Sequence, residues 1–123
     1  MCTVLIVEDN VDLRHMFRAV LMLEGFRVIE AGDGMAALQI LDSEPAPDIV
    51  VLDIGLPIVS GHVVRQELAA QAHLRNIPVV IVTATDVGDT EGVACLLRKP
   101  VLPDELVRTV KRCLAAGAGF ADR

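Results

Sequence analysis

The sequence predicts a single α/β domain in which a parallel sheet carries helices on both faces. Three observations lead to this fold class. Short apolar runs alternate with longer segments whose apolar residues recur at helical spacing, turn-forming residues separate the two, and 53% of the 123 residues are hydrophobic. This length and composition suffice for one globular domain with one sizeable core. Strands that alternate with helices pair in parallel through right-handed crossovers.

Five short apolar runs are the predicted strands. They span residues 3–7, 27–31, 48–52, 78–82 and 94–98. The third run contains four consecutive apolar residues, Ile49 to Leu52, with no alternation of apolar and polar residues. Such a run, bounded by turn formers, is typical of an interior strand whose sheet is covered on both faces.

Four segments are predicted helices. Asn10 caps the first helix, which ends before Gly25, and Asp33 caps the second. The third helix follows Gly61, and the last begins near Pro103, with two acidic residues in its first turn. The residues at helical spacing that we expect on the buried faces are Leu13, Phe17, Val20, Leu21, Ala37, Leu38, Leu41, Val64, Leu68, Leu106, Val110, Cys113 and Leu114.

Charge and aromatic content argue against several kinds of ligand. The formal net charge of −6 repels the phosphates of nucleic acids, so we expect no direct binding to DNA or RNA. The chain has no Trp or Tyr and only three Phe, which leaves little for stacking a flavin or a base.

Cysteine usage and the lack of targeting signals favour the cytoplasm. Cys2, Cys95 and Cys113 are scattered and odd in number, so we expect reduced, buried thiols rather than disulfides or a zinc site. Residues 1–10 contain only four consecutive apolar residues before acidic ones, which does not fit a signal peptide. No stretch has the length that membrane insertion requires.

Polar residues stand at the carboxyl ends of four predicted strands. Glu8 and Asp9 follow the first strand, Asp53 the third, Thr83 the fourth and Lys99 the fifth. Because the carboxyl ends of parallel strands meet at one edge of the sheet, we expect these side chains to converge there. Three carboxylates in a half-buried crevice raise one another's pKa unless a cation lies between them.

A magnesium ion suits such a cluster. Mg²⁺ prefers oxygen ligands and retains several waters. The predicted ligands are the carboxylates of Glu8, Asp9 and Asp53 and the backbone carbonyl of Gly55, where the absence of a side chain lets the backbone turn toward the ion.

The same edge is suited to phosphoryl transfer. This reaction depends mainly on positioning and on neutralising oxygen charge. Asp53 is the predicted nucleophile, since a carboxylate can accept a phosphoryl group as an acyl phosphate. The Thr83 hydroxyl and the Lys99 ammonium are the predicted groups that contact the transferred phosphoryl.

The ordered set of these residues resembles the receiver (CheY-like) domains of two-component response regulators, over essentially the whole chain. In that family the first strand ends in an acidic pair, the third in the phospho-accepting aspartate, the fourth in Thr or Ser followed by Ala, and the fifth in Lys-Pro. A proline and a glycine follow the aspartate by four and eight positions. The matching residues here are Glu8, Asp9, Asp53, Pro57, Gly61, Thr83, Ala84, Lys99 and Pro100. The stretches DIGLP and KPV look like receivers attached to hybrid histidine kinases.

The resemblance implies a flavodoxin-like three-layer sandwich with a five-stranded parallel sheet of order 2-1-3-4-5. It also implies a bacterial phosphorelay, in which a histidine kinase or histidine phosphotransfer protein phosphorylates Asp53 in the presence of Mg²⁺. Phosphate then draws in the Thr83 hydroxyl, Lys99 pairs with the new anion, and the population shifts toward a state that docks a downstream protein. The peptide bond between Lys99 and Pro100 is expected to be cis.

Other implications concern activity and partners. A receiver of this kind is not an enzyme and at most slowly removes its own phosphoryl group. We expect a monomer or weak dimer. In the family the first helix helps to select the kinase, and the corresponding residues here are Val11, Arg14, His15 and Arg18.

Two features depart from the family pattern. Leu96 occupies a position that often carries an aromatic residue, three before the lysine, so aromatic switching cannot operate as such. Only fifteen residues separate Thr83 from Lys99, and they include Gly88 and Gly92. We therefore expect the fourth helix to be shortened or disordered, and the face it shares with the fifth strand and last helix to be altered.

Domain limits and rival functions complete the expectations. Residues 1–117 form the predicted receiver domain and residues 118–123 a short tail, and Met1 just before the first strand favours a natural start.

A haloacid-dehalogenase-like phosphatase would need D-x-D, but Ile54 and Gly55 follow Asp53. A GTPase would need a glycine-rich phosphate loop after the first strand, which is lacking. The remaining alternative is a receiver-like docking scaffold that acts without phosphorylation.

Overall fold

Five parallel strands form the centre of the structure, a computed structural model that describes residues 2–43, 45–56, 59–84 and 95–121, with side chains up to residue 116. The elements, in chain order, are β1 (Thr3–Val7), α1 (Val11–Leu23), β2 (Arg27–Ala31), α2 (Gly34–Ser43), β3 (Ile49–Asp53), α3 (Gly61–Ala70), β4 (Val79–Thr83), β5 (Cys95–Arg98) and α4 (Pro103–Ala121).

The strand order is β2-β1-β3-β4-β5, which confirms the predicted topology. All four neighbouring pairs are parallel. Every residue of β3 and β4 is buried, because these two strands lie inside the sheet and are covered on both faces. Their unbroken apolar runs therefore reflect their position in the sheet.

The observed limits of two strands differ slightly from the prediction. β1 and β2 begin and end where expected, but β3 and β4 each begin and end one residue later. β5 ends at Arg98 as predicted, and residue 94, its predicted start, lies outside the described residues. The register explains the shift: Asp53 pairs with Val82 and Thr83 pairs with Arg98, so the neighbouring strand extends the ladder by one residue. Asp53 and Thr83 are thus the last residues of their strands rather than the first residues of the following loops.

The core is divided by the sheet into two layers. One layer packs α2 and α3 against alternate strand residues such as Leu5 and Val50. The other packs α1 and α4 against the intervening residues such as Ile6 and Val51. A fully buried Leu or Phe side chain contributes about 1.5–3 kcal/mol, so the largest members of these layers dominate the stability. The predicted helices on both faces are confirmed.

A side chain just before α1, α2 and α3 caps the N-terminus of each helix. The Asn10 side chain accepts a hydrogen bond from the Leu13 N–H at 2.9 Å, and Asp33 accepts one from Ala36 at 2.8 Å. Both predicted N-caps are therefore confirmed. Ser60 caps α3 and was not among the predicted caps. These caps start α1, α2 and α3 near the carboxyl edge of the sheet.

Some predictions concern residues that the structure does not describe. The predicted shortening of the fourth helix, residues 85–94, lies outside the described residues, as does Pro57. α4 continues past residue 117, and the predicted domain boundary there stays a prediction. Within the described ranges, no helix is both long enough and apolar enough to cross a membrane.

The three cysteines are free thiols, but their burial differs from the expectation. Cys113 is buried in the layer beneath α4, and Cys95 is partly buried at the start of β5. The prediction of a buried thiol is wrong for Cys2, which is exposed because it precedes the first residue of β1 and lies outside the core.

A close backbone contact ties the start of α3 to the end of β3. A Cβ atom built on Gly61 would lie 2.6 Å from both the Asp53 carbonyl oxygen and the Ile54 Cα. The Gly61 N–H also donates a hydrogen bond to the Ile54 carbonyl at 3.2 Å. Only glycine allows this approach, so α3 packs directly against the backbone that carries Asp53.

We expect Gly61→Ala to lower the free energy of unfolding by about 1–3 kcal/mol, because the new methyl group forces the backbone apart. Urea denaturation followed by far-UV circular dichroism measures this change, since the chain lacks Trp and Tyr. Gly55→Ala is the matched control, because its Cβ would lie 3.7 Å from the Asp53 Oδ1, an ordinary contact. Equal midpoints for the two variants would contradict the argument.

Candidate functional site

The structure brings the predicted site residues together at the carboxyl edge of the sheet. Glu8 and Asp9 follow β1, and Asp53 ends β3. Thr83 ends β4, and Lys99 directly follows β5. The Lys99 Nζ lies 3.0 Å from the Glu8 Oε1 and 3.2 Å from the Asp53 Oδ2, so one ammonium group contacts two carboxylates.

Three carboxylates form a cluster at this edge. One oxygen from each of Glu8, Asp9 and Asp53 lies within 4.8 Å of the others. Glu8 and Asp53 are 1% and 5% exposed, whereas Asp9 is exposed. The Gly55 N–H donates a hydrogen bond to the Asp53 Oδ1 at 3.0 Å, which places Gly55 beside the cluster. Its role as a carbonyl ligand stays a prediction.

Glu8 is the most constrained member of the cluster. Its Oε2 accepts a hydrogen bond from the Asn10 N–H at 3.1 Å. Its Oε1 is buried and receives no hydrogen bond, although the Lys99 ammonium is near enough for an ion pair. The Lys99 ammonium is therefore the close partner of this buried oxygen, and a carboxylate oxygen can accept more than one contact.

Burial raises the pKa of Glu8 from its usual value of 4.5 to about 7. The Asn10 N–H and Lys99 lower this pKa, while the charge of Asp53 and the contact with Asp9 raise it further. The effect of burial on the pKa of Glu8 therefore outweighs the effect of Lys99, although the Lys99 Nζ lies 3.0 Å from the Glu8 Oε1.

Lys99 remains a cation in this site. Burial alone would lower its pKa, but the carboxylates of Glu8 and Asp53 beside the ammonium outweigh burial, and the pKa of Lys99 is raised above its usual value of 10.5. The Lys99 N–H donates a hydrogen bond to the Thr83 carbonyl at 2.8 Å, which aligns the end of β4 with the residue after β5. The bond between Lys99 and Pro100 is cis, as expected.

The remaining predicted positions lie around the cluster. The Thr83 side chain is buried at the end of β4, and Ala84 after it is exposed. Leu96 pairs in register with Ile81 and is partly exposed on β5. The Leu96 side chain therefore reaches the surface of the domain.

Two further residues, Arg14 and Glu30, lie beside the site and were not predicted there. Arg14, expected on a kinase-selecting surface, donates a hydrogen bond from Nη1 to the Glu8 carbonyl at 3.0 Å. Its Nε donates to the Glu30 Oε1 at 3.1 Å. Glu30 lies near the end of β2, so the reasoning from strand ends could have found it. Nothing local in the sequence signals the contact of Arg14.

The donor set fits a hard divalent cation. Two buried carboxylates and one exposed carboxylate supply oxygens at short mutual distances, and one buried oxygen lacks a hydrogen bond. Mg²⁺ takes such oxygens and completes its octahedron with water. A cation here would also offset the charge that burial makes costly on Glu8.

We expect the free energy of unfolding without Mg²⁺ to fall as the pH rises from about 4.5 to about 7. In this window the folded chain holds a proton on Glu8 that the unfolded chain has released, so stability contributed by the protonated form is lost as pH rises. Urea denaturation in EDTA between pH 5 and 8 measures the decline. Glu8→Gln should reduce it, and parallel pH profiles for the two proteins would contradict the assignment.

Comparison with known proteins identifies the family. The model of the response regulator receiver domain matches residues 4–111. The polar-differentiation response regulators DivK of Brucella anthropi and Brucella abortus are 36% identical over 118 residues, which cover 91% of this chain and 95% of theirs.

Solved structures show the same fold. The chemotaxis response regulator CheY4 of Vibrio cholerae superposes with a TM-score of 0.84 at 25% identity, covering 92% of this chain and 98% of that one. The receiver domain of a Pseudomonas aeruginosa sensor histidine kinase, solved with a magnesium ion coordinated in its active-site cleft, gives 0.83 at 28% identity, with 93% and 98% covered. The chain therefore belongs to the response regulator receiver domain family of two-component signalling and has its CheY-like fold.

Proposed function

We propose that Asp53 accepts a phosphoryl group from a histidine kinase or histidine phosphotransfer protein and that this modification changes the docking of a protein partner. One observation carries the proposal. The Asp53 carboxylate lies at the carboxyl edge of the sheet, 3.2 Å from the Lys99 ammonium and within 4.8 Å of the Glu8 and Asp9 carboxylates. This arrangement combines a nucleophile, a fixed cation and a metal-binding group.

Asp53 is held in position for nucleophilic attack. The Gly55 N–H fixes Oδ1 at 3.0 Å, and Oδ2 lies next to Lys99. A carboxylate oxygen attacks the phosphorus of a phosphohistidine, the new O–P bond forms as the P–N bond breaks, and the electron pair leaves with the imidazole. The raised pKa of Lys99 keeps it positively charged, so it can pair with the transferred phosphoryl group.

Glu8, Asp9 and Asp53, with the Gly55 carbonyl, are the residues that would hold Mg²⁺. When bound, Mg²⁺ would neutralise charge on the phosphoryl oxygens. The burial of Glu8 and Asp53 and the close spacing of the three carboxylates support this role. The magnesium ion in the related Pseudomonas aeruginosa receiver domain supports it independently.

Thr83 is the proposed link between the phosphorylated site and the edge strand β5. Its side chain is buried at the end of β4, and its carbonyl accepts the hydrogen bond from the Lys99 N–H. A hydroxyl that turns toward the new phosphoryl group would favour one arrangement of β4 and β5 over another. Leu96 on β5 is partly exposed, so a change in this strand would reach the surface.

The proposed role is signalling rather than catalytic turnover. The chain would release its own phosphoryl group slowly at most, and its partners would be the phosphodonor protein and a downstream protein. The net charge of −6 favours protein partners over nucleic acid. We propose that the protein acts in the cytoplasm as a monomer or weak dimer.

We expect a phosphoryl adduct, detected by intact mass after incubation with Mg²⁺ and a small phosphodonor, that hydroxylamine removes. Asp53→Asn should abolish it, because the amide is not a nucleophile for this reaction. Asp48→Asn is the matched control, since Asp48 precedes the same strand, lies at its opposite end and bonds to the Thr3 N–H. That variant should form the adduct normally.

The outcome separates two functions. An adduct that requires Mg²⁺ and Asp53 supports the phosphoacceptor. No adduct, even with a histidine kinase or phosphotransfer donor present, would favour a docking scaffold that acts without phosphorylation, the rival that Leu96 and the short segment before Lys99 keep open.

We expect Thr83→Ala to form the adduct but to lose part of the structural response to it. The measurement is the set of amide chemical-shift changes in β4 and β5 between the free and phosphorylated protein. Thr109→Ala removes the same hydroxyl from another buried threonine, on α4, and should leave that response intact. Identical responses from both variants would rule out the proposed role of Thr83.

A further inference from the structure

Arg14 connects three parts of the fold around the acidic edge. It lies on α1, donates from Nη1 to the Glu8 carbonyl at 3.0 Å, and donates from Nε to the Glu30 Oε1 at 3.1 Å. Its side chain is only 17% exposed. Gly32 leaves room for the guanidinium, because a Cβ there would lie 3.2 Å from Nη1. Arg14 is thus an internal contact between α1, the end of β1 and β2.

The backbone of Glu8 is held from two sides. Its N–H donates to the Ala31 carbonyl at 3.1 Å, and its carbonyl accepts the hydrogen bond from Arg14. The peptide between Glu8 and Asp9 therefore has its carbonyl fixed by a charged donor. This peptide sets the relative placement of the two carboxylates that follow β1.

We propose that Arg14 is a positioning residue of the cation site. By donating to both the Glu8 carbonyl and the Glu30 carboxylate, it holds the Glu8 backbone in the geometry that a small octahedral ion needs. The inference rests on the proposed function, since it assigns Arg14 a part in the Mg²⁺ site. Arg14 contacts no predicted ligand atom and acts through the backbone of Glu8.

The guanidinium is suited to this task because of its shape. Its planar fork donates to the Glu8 carbonyl and the Glu30 carboxylate at the same time from two fixed nitrogens. A lysine ammonium is a compact charge on a flexible stem, so it would satisfy these acceptors with less definite geometry. Glu30 also lies 3.7 Å from the Arg18 Nη1, which leaves Glu30 with a cationic neighbour when Arg14 is replaced.

The ion itself provides a selective readout. Mg²⁺ demands near-ideal octahedral geometry at short distances, whereas Ca²⁺ accepts longer and more variable ones. Loosening the peptide between Glu8 and Asp9 should therefore cost more affinity for Mg²⁺ than for Ca²⁺. A merely structural role would lower the stability without changing this ratio in the folded protein.

The experiment is calorimetric titration of the full chain with MgCl₂ and with CaCl₂. We expect Arg14→Ala to weaken Mg²⁺ binding by about 10- to 100-fold, the usual effect of losing a residue that supports a metal ligand. Binding of Ca²⁺ should weaken less, and Arg14→Lys should give intermediate values. Arg18→Ala is the matched control, one turn further along α1 with a contact to Glu30 but none to Glu8, and should bind both ions like the native chain.

A second measurement needs no metal. Hydrogen exchange in EDTA reports on the Asn10 N–H, which is bonded to the Glu8 Oε2. Arg14→Ala should speed exchange at Asn10 more than Arg18→Ala does, while exchange in the central strands β3 and β4 stays slow in both. This comparison also verifies that each variant is folded.

The outcomes test the positioning role of Arg14 separately from the proposed function. Loss of Mg²⁺ affinity that is the same in both arginine variants, or equal for Mg²⁺ and Ca²⁺, would overturn the positioning role. If Arg14→Ala does not fold, Arg14→Lys with native affinities and native exchange at Asn10 would overturn it. If the native chain itself binds no Mg²⁺, the proposed cation site fails, and exchange at Asn10 still shows whether Arg14 holds the Glu8 backbone.

Discussion

The burial of two carboxylates around one ammonium group is the constraint on which the site depends. Glu8 and Asp53 are nearly inaccessible to solvent, and the Lys99 Nζ lies within 3.2 Å of both. Burial raises the pKa of Glu8 although the Lys99 ammonium lies beside it, so this single cation does not fully offset the effect of burial on Glu8. The carboxyl edge of the sheet therefore carries buried negative charge that Lys99 does not fully neutralise. A divalent cation bound there, or a change in the charge of Asp53, would alter this balance of charge directly.

The pairing of strands in the sheet, rather than local sequence, brings these charged residues together. β1 and β3 are adjacent and parallel, which brings Glu8 and Asp53 to the same edge from positions far apart in the chain. Lys99 arrives from β5, at the side of the sheet, and its N–H bonds to the end of β4. The close contact between Gly61 and the Asp53 carbonyl then fixes the backbone after β3. A rigid frame is necessary because charges at these distances respond steeply to displacement.

The resemblance to receiver domains predicted the main residues of the site, and the particular contacts of this chain add to them. The acidic pair, Asp53, Thr83 and Lys99 follow the pattern of receiver domains. The fork of Arg14 onto Glu8 and Glu30 is a contact that the pattern of strand ends does not contain. It places part of the control over the acidic edge on the buried side of α1.

The sequence by itself determined the fold class, the strand order through family resemblance, the helix caps at Asn10 and Asp33, and the residues that meet at the carboxyl edge. These features follow from apolar periodicity and from residue types at strand ends, which are local properties. Only the tertiary structure decided that β3 and β4 each begin and end one residue later than the apolar runs, that Cys2 is exposed, and that Arg14 bonds to Glu8 and Glu30. Strand limits depend on the neighbouring strand, and burial depends on what packs over a residue. The partners of a long side chain depend on distances between distant segments, which no local pattern encodes.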